Sequence, residues 1–282
     1  MSGTAVEFAA RDGYRLAGTL YRPATSNRRA VLIQAATGVR QEYYGKFAAY
    51  LASRGFSVLT FDYRGIGRSR PPLLRGFAAR MRDWVDKDIA GALDYLARAT
   101  NGARLIGIGH SFGGQVFGLV PGNERYVAAM AVGSQSGYWG HWPGMGKLAM
   151  WLLTHVVLPG VSGLLGYVPA RIVGQGEDLP AGVAADWARW CRHPGYVVGA
   201  LGAQDAYARF TAPIRVYAIS DDAYAPPRAV EAFLASYPNA PRKVERVDAA
   251  AFEGGRIGHF GFFRERFKDR LWREAADWLL SR

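Results

Sequence analysis

The feature that most constrains the fold of this chain is a Gly-x-Ser-x-Gly pattern that directly follows an apolar, strand-like segment. Residues 103–108 form that segment, and Gly109 and Gly113 stand two positions either side of Ser111. A chain that turns sharply from a strand into a helix needs small residues at both positions, because the two backbones approach closely there. The turn pushes the serine hydroxyl outward. The pattern therefore predicts a nucleophile elbow with Ser111 at its tip.

The order of the predicted elements indicates a mostly parallel sheet. After a hairpin near the N-terminus, strand-like segments alternate with helical ones, which implies that helices cover both faces of the sheet. The 282 residues are half hydrophobic, enough for a large core. The predicted strands of the alternating part are residues 30–36, 56–61, 103–108, 126–132, 214–219 and 242–247.

The alternation stops in one aromatic-rich region, which we interpret as an inserted lid. We expect a core made of residues 1–133 and 208–282, with residues 134–207 inserted between its halves. The inserted region holds five of the eight Trp residues. Its aromatics either form the core of a small helical subdomain or present apolar surface to a ligand, and the two interpretations are compatible. The candidate substrate-binding residues are Tyr138, Trp139 and Trp142, together with Ala36 and His110.

A serine nucleophile needs a histidine base and an acid that holds the imidazole in the required tautomer. In elbow-type enzymes the chain order is Ser, acid, His. His259 follows the last predicted strand in a glycine-rich loop, so it is the expected base. The other four histidines lie beside the serine or within the lid.

Two neighbouring carboxylates follow the strand at 214–219, where the acid is expected. Asp222 is favoured because its spacing to Pro226, four residues later, resembles that of the acid loops of elbow-type enzymes, and Asp221 would then brace the turn. Asp205 and Asp248 are weaker candidates because neither follows this strand.

An oxyanion hole requires two backbone N–H groups directed at the developing negative charge. One is expected from Phe112, the residue after the serine, and the other from the loop 35–38 after the third strand. Thr37 is favoured for the second donor, with Ala36 as the alternative.

A third motif joins the elbow and the Ser, acid, His order. It is the segment 61–69, which reads Phe-Asp-Tyr-Arg-Gly-Ile-Gly-Arg-Ser. With these motifs the chain resembles the α/β-hydrolase-fold serine hydrolases, close to the serine aminopeptidase and monoacylglycerol-lipase-like branch, over about residues 5–132 and 213–281. Residues 176–180 and 257–264 are similar to a poorly characterised bacterial group of predicted hydrolases. One departure is that Ala35-Ala36 replaces the His-Gly usual in the family.

The resemblance implies an α/β-hydrolase fold, with a mostly parallel central sheet flanked by helices and an inserted helical lid. It also implies hydrolysis through an acyl-serine intermediate without a metal or organic cofactor. The aromatic lid favours a small-molecule ester with a hydrophobic acyl or aryl group. An aminopeptidase or amidase, whose substrate amine could be held by Glu177, Asp178 or Asp186, remains an alternative, as does a thioesterase or acyltransferase. An alternative of another class is a non-catalytic ligand-binding protein on the same fold.

Charge and targeting signals limit the remaining partners. The net charge of +12 comes from scattered residues, mostly Arg, so we expect no nucleic-acid partner. Cys191 is the single cysteine, and the first twenty residues lack a continuous apolar region, so a cytoplasmic protein is expected.

Residues 148–170 carry no charge and are long enough to span a bilayer. Proline and glycine residues are expected to interrupt them, which favours a soluble apolar cap, with peripheral membrane contact as a minor alternative. These residues are Pro159, Gly160, Gly163, Gly166 and Pro169.

Overall fold

The computed structural model describes residues 3–174 and 176–282, and its centre is an eight-stranded sheet. Its strands are β1 (Thr4–Ala9), β2 (Arg15–Tyr21), β3 (Arg29–Gln34), β4 (Ser57–Phe61), β5 (Arg104–His110), β6 (Tyr126–Val132), β9 (Ile214–Ile219) and β10 (Arg242–Val247). A separate two-stranded pair is formed by β7 (Tyr167–Val168) and β8 (Leu179–Pro180).

The spatial order of the main sheet is β1-β2-β4-β3-β5-β6-β9-β10. Strands β3, β4, β5, β6, β9 and β10 run parallel to one another, whereas β2 pairs antiparallel with β1 and β4. The central strands are buried along nearly their whole length, as expected for a sheet covered on both faces. The predicted fold class is therefore confirmed.

The helices lie between the strands and within the inserted segment. They are α1 (Gly45–Ser53), α2 (Met81–Asp83), α3 (Ala90–Ala99), α4 (Phe112–Gln115), α5 (Gly144–Leu152), α6 (Leu158–Leu165), α7 (Ala181–Arg192), α8 (Tyr196–Ala200), α9 (Gln204–Arg209), α10 (Pro227–Ala235), α11 (Gly258–Gly261) and α12 (Arg273–Leu280). Between β6 and β9 the described residues form mainly helices, α5 to α9.

The family-like segment at 61–69 supports the loop that follows β3. The carboxylate of Asp62 accepts hydrogen bonds from the backbone N–H groups of Gln41 and Arg68, at 2.9 and 3.0 Å. The guanidinium of Arg64 pairs with Asp88, which is fully buried, and with Asp12. Buried carboxylates are stabilised when they are paired in this way. The motif is therefore structural support for the loops at the carboxyl edge of the sheet.

The inserted segment contains one feature that the sequence interpretation missed. We expected Pro159, Gly160, Gly163, Gly166 and Pro169 to interrupt residues 148–170. A continuous helix runs over Gly144–Leu165 and includes the first three, whereas Gly166, with φ 74°, ends the helix as expected and Pro169 lies beyond it. A π turn at Leu153–Val157 immediately precedes α6, and Pro159 stands in the first turn of α6. Because the π turn already shifts the hydrogen-bond pattern, the missing N–H of Pro159 is accommodated without a break.

By length and composition this helix could cross a membrane, and 17% of its most apolar stretch is buried.

Candidate active site

Ser111 occupies the tip of a tight turn between β5 and α4. Its backbone has φ 49° and ψ −115°, a conformation that non-glycine residues rarely adopt. A Cβ atom on Gly109 would lie 2.2 Å from the backbone nitrogen of Gly114, and one on Gly113 would lie 2.1 Å from the carbonyl oxygen of Gln34. Both positions therefore require glycine. The strain at Ser111 costs about 1–3 kcal/mol, which the surrounding packing must offset.

His259 and Asp222 form a buried pair at the same edge of the sheet. The Nδ1 atom of His259 lies 2.8 Å from Oδ2 of Asp222, and Asp222 is 5% exposed. The other carboxylate oxygen, Oδ1, accepts hydrogen bonds from the backbone N–H groups of Tyr224 and Ala225, at 2.9 and 3.1 Å. Gly133 makes room for the pair, because a Cβ there would lie 3.1 Å from both Oδ2 and Nδ1. Asp222 thus fixes the orientation and tautomer of the imidazole.

The neighbouring Asp221 has a different position. Its two carboxylate oxygens accept hydrogen bonds from the backbone N–H groups of Ile257 and Gly258, at 3.0 and 2.8 Å. Asp221 thereby braces the turn that presents His259. Asp248 caps the turn at Ala249–Ala251. Asp205 is exposed in the first turn of α9. Of the four candidates, Asp222 is the one hydrogen-bonded to His259.

The two candidates for the second oxyanion donor, Ala36 and Thr37, differ in whether their backbone N–H group is already hydrogen-bonded. The N–H of Ala36 donates to the hydroxyl oxygen of Tyr44 at 2.9 Å, so it is occupied. In the described parts of the chain, no backbone hydrogen bond is recorded from the N–H groups of Thr37 and Phe112, and both residues line the same cavity as Ser111. This favours Thr37 over Ala36 as the second donor.

His110 lies under the site rather than on the cavity wall. It is fully buried and is not among the described residues that line the cavity, so the structure does not support the predicted substrate contact. Its Nε2–H donates to the carbonyl oxygen of His259 at 3.0 Å, and its Nδ1 accepts from the hydroxyl of Tyr44 at 2.9 Å. Through Tyr44 this chain of hydrogen bonds continues to Ala36, so His110 connects the loop after β3 to the backbone of His259.

Burial lowers the pKa of His110 well below its usual range, and the nearby His259 lowers it further. The ring centroids of the two histidines are 4.9 Å apart. Burial therefore keeps the His110 ring neutral, so that no second positive charge stands beside His259.

A cavity of about 480 Å³ lies above Ser111 and reaches into the inserted segment. This volume is within the range of small-molecule sites. The predicted site residues that line the cavity are Ser111, His259, Ala36, Thr37, Phe112 and Trp142. Most of the remaining lining is apolar and comes from residues 150–191, namely Met150, Leu153, Val157, Leu158, Val161, Val168, Pro169, Ala170, Leu179, Trp187 and Cys191.

Two of the predicted lid aromatics do not reach this cavity. Among the described lining residues, Tyr138 and Trp139 are absent, and their rings contact each other instead. The sequence interpretation missed Gln115 and Gln135, which line the cavity and are hydrogen-bonded to each other at 3.1 Å. Gln115 stands four residues after Ser111, so its place on the first turn after the elbow was the available signal.

The described residues contain no group of three or more His, Cys, Asp or Glu side chains that could hold a metal ion.

Comparisons with known proteins agree with this fold. A model of the alpha/beta hydrolase family matches residues 31–275. No curated protein sequence matches the chain.

Three solved structures illustrate the similarity of fold. The esterase PF2001 of Pyrococcus furiosus is 15% identical with a TM-score of 0.62, over 98% of this chain and 91% of that one. The monoacylglycerol lipase of Paleococcus ferrophilus is 16% identical with a TM-score of 0.60, over 94% and 98%. The proline iminopeptidase of Mycobacterium smegmatis is 15% identical with a TM-score of 0.60, over 99% and 98%.

Proposed function

This chain belongs to the alpha/beta hydrolase family, and on that premise we propose that it is a serine hydrolase that cleaves a carboxylic ester with a hydrophobic acyl or aryl group. The observation that carries the proposal is the strained Ser111 on a cavity that also contains His259, whose ring is held by the buried Asp222. A protein that only bound a ligand would gain nothing from the backbone strain at Ser111.

The proposed reaction has two halves. Ser111 Oγ attacks the ester carbonyl while His259 Nε2 takes its proton, and the resulting oxyanion accepts hydrogen bonds from the N–H groups of Phe112 and Thr37. The intermediate then collapses to an acyl-serine, and His259 returns the proton to the departing alkoxide. In the second half, a water molecule gives a proton to His259 and attacks the acyl-serine. His259 then returns that proton to Ser111 Oγ as the carboxylic acid departs. Asp222 stabilises the imidazolium in both halves.

The charges around the cavity favour an ester over a peptide with a free N-terminus. An aminopeptidase must hold the substrate's ammonium group with a carboxylate, but the described cavity lining includes no Asp or Glu. The three carboxylates considered for this role are already paired with arginines. Glu177 lies 3.7 Å from Arg40, Asp178 pairs with Arg171, and Asp186 pairs with Arg80.

The structural neighbours allow both chemistries, since they include an esterase, a monoacylglycerol lipase and a proline iminopeptidase. The apolar lining of the cavity and the pairing of the carboxylates support the proposal of an ester substrate.

The test is a comparison of kcat/KM on p-nitrophenyl esters, the matching thioesters and aminoacyl anilides, with Ser111→Ala as the control. We expect the esters to be the preferred substrates, and we expect Ser111→Ala to be folded and inactive. A higher kcat/KM on the anilides would assign the protein to the peptidases. A folded wild-type protein without turnover on any of the three classes would support a binding protein instead.

A further inference from the structure

The helix over Gly144–Leu165 is apolar on two opposite faces. On its inner face Met150, Leu153 and Leu158 line the cavity, and Leu158 packs against Ala184 and Ala188 of α7. The outer face carries large apolar side chains that are between 38% and 83% exposed. These are Met145, Leu148, Trp151, Leu152, Val156 and Leu164. Val157 is also exposed, but it lines the cavity as well.

This clustering distinguishes the outer face from the rest of the described surface. Single exposed hydrophobic residues are ordinary, whereas a contiguous apolar patch marks an interaction site. Seven of the eleven large hydrophobic residues that are exposed in the described chain lie on this one helix. A helix that is apolar all round is stable only when something covers it. The inner face is covered by the protein, so the outer face requires a partner.

The charges around the helix indicate what that partner is. No Asp or Glu occurs between Glu124 and Glu177, so the helix and its flanks carry no negative side chain. A cation stands near each end. Lys147 is exposed near the start, and the exposed Arg75 donates to the carbonyl oxygen of Leu165 at the other end. Trp151, an amphipathic aromatic of the type enriched at membrane interfaces, lies between them.

We propose that the outer face of this helix docks on an anionic lipid surface, with the helix lying in the plane of that surface. Apolar side chains would enter the acyl boundary while Lys147 and Arg75 contact lipid phosphates. The helix does not cross the bilayer, because its inner face is committed to the cavity and to α7. A second copy of the chain fits less well. It would bring the same cations together around the patch, in a chain of net charge +12.

The position of the cavity adds a consequence for substrate, which rests on the proposed function. The cavity lies directly behind the docking helix, which lines it with Met150, Leu153 and Leu158. A hydrophobic ester dissolved in the lipid could then reach Ser111 with little passage through water. The docking itself does not depend on the chemistry at Ser111.

The experiment measures sedimentation with vesicles of phosphatidylcholine alone and of phosphatidylcholine mixed equally with phosphatidylglycerol. The principal variant is Leu148→Ser/Leu152→Ser/Val156→Ser, whose three positions are exposed and outside the cavity lining. We expect the wild type to bind the anionic vesicles and this variant to bind about tenfold more weakly or worse. Lys147→Gln should bind about fivefold more weakly, whereas the matched control Lys243→Gln on the distant β10 should bind like the wild type.

Two readouts keep docking and catalysis separate. Ser111→Ala should bind vesicles like the wild type, and the triple variant should melt like the wild type and hydrolyse a water-soluble ester at its rate. A wild-type protein that binds the vesicles but hydrolyses no ester would refute the proposed function and leave the docking standing.

Three results would overturn the docking proposal. They are a wild type that stays in solution with anionic vesicles, a triple variant that binds them equally well, or a wild-type dimer that the triple substitution converts to a monomer.

Discussion

Replacing Asp222 with Asn tests the proposed acid, because the structure determines which way the new amide must face. Oδ1 of Asp222 accepts two backbone N–H groups, from Tyr224 and Ala225. In Asp222→Asn the amide oxygen must keep that place, so the NH₂ group faces Nδ1 of His259. Nδ1 then accepts a hydrogen bond, and the proton moves to Nε2. His259 can no longer take the proton from Ser111.

The size of the effect follows from the cost of turning the amide round. A reversed amide would leave both backbone N–H groups unsatisfied, at about 1–3 kcal/mol each. The active tautomer is then populated at between about one part in 30 and one part in 2×10⁴. We therefore expect kcat to fall by about 30- to 10⁴-fold, the upper end matching the loss for a buried triad Asp. The melting temperature should change little, because the amide keeps the backbone hydrogen bonds.

Asp221→Asn is the matched control. Asp221 is exposed and binds the N–H groups of Ile257 and Gly258, so its replacement should lower the free energy of unfolding by about 1 kcal/mol. Its kcat should stay within about tenfold of the wild type, since His259 keeps its partner. Both variants are assayed for kcat and KM on a p-nitrophenyl ester and for thermal unfolding. An inactive Asp221→Asn beside an active Asp222→Asn would refute the assignment of the acid.

Three further predictions concern the elbow, the buried histidine and the cavity. Gly113→Ala should lower the free energy of unfolding by about 3 kcal/mol or more, because its Cβ would lie 2.1 Å from the Gln34 carbonyl. Gly160→Ala, where a Cβ meets nothing within 4 Å, should be neutral or stabilising, and equal melting of the two variants would contradict the close approach. Burial lowers the pKa of His110, so below about pH 6.5 the unfolded chain binds a proton that the folded chain excludes, and stability falls as the pH falls. Urea unfolding from about pH 5 to 7 measures how the free energy of unfolding changes with pH. For His110→Gln this change should be smaller than the wild type's by up to about 1.4 kcal/mol per pH unit, and an identical pH dependence would exclude a neutral His110. Finally, kcat/KM on p-nitrophenyl esters should rise up to about fourfold per added methylene until the cavity fills, and Trp142→Ala should move the optimum chain length; an unmoved optimum would remove Trp142 from the acyl site.

The parts of the site that could be predicted from sequence depend on local geometry and on chain order. The glycines around Ser111 are required by backbone contacts within one turn, so the pattern itself carries the elbow. The pairing of His259 with Asp222 follows the expected chain order, and the structure brings the two residues to 2.8 Å.

The parts that could not be predicted depend on side chains from distant segments. The choice between Ala36 and Thr37 depends on the hydroxyl of Tyr44, and the sequence gives no sign of that contact. His110 was a candidate substrate-binding residue, but its ring turns inward to Tyr44 and to the backbone of His259. The continuity of the helix at 144–165 depends on a π turn before Pro159, for which residue propensities give no signal.

The most direct test of the central claim is mass spectrometry of the protein after reaction with a fluorophosphonate, followed by peptide mapping. The account predicts a single phosphonyl adduct on Ser111 of the wild type, slower labelling of His259→Ala and no adduct on folded Ser111→Ala. An adduct on another residue, or undiminished labelling of Ser111→Ala, would contradict it.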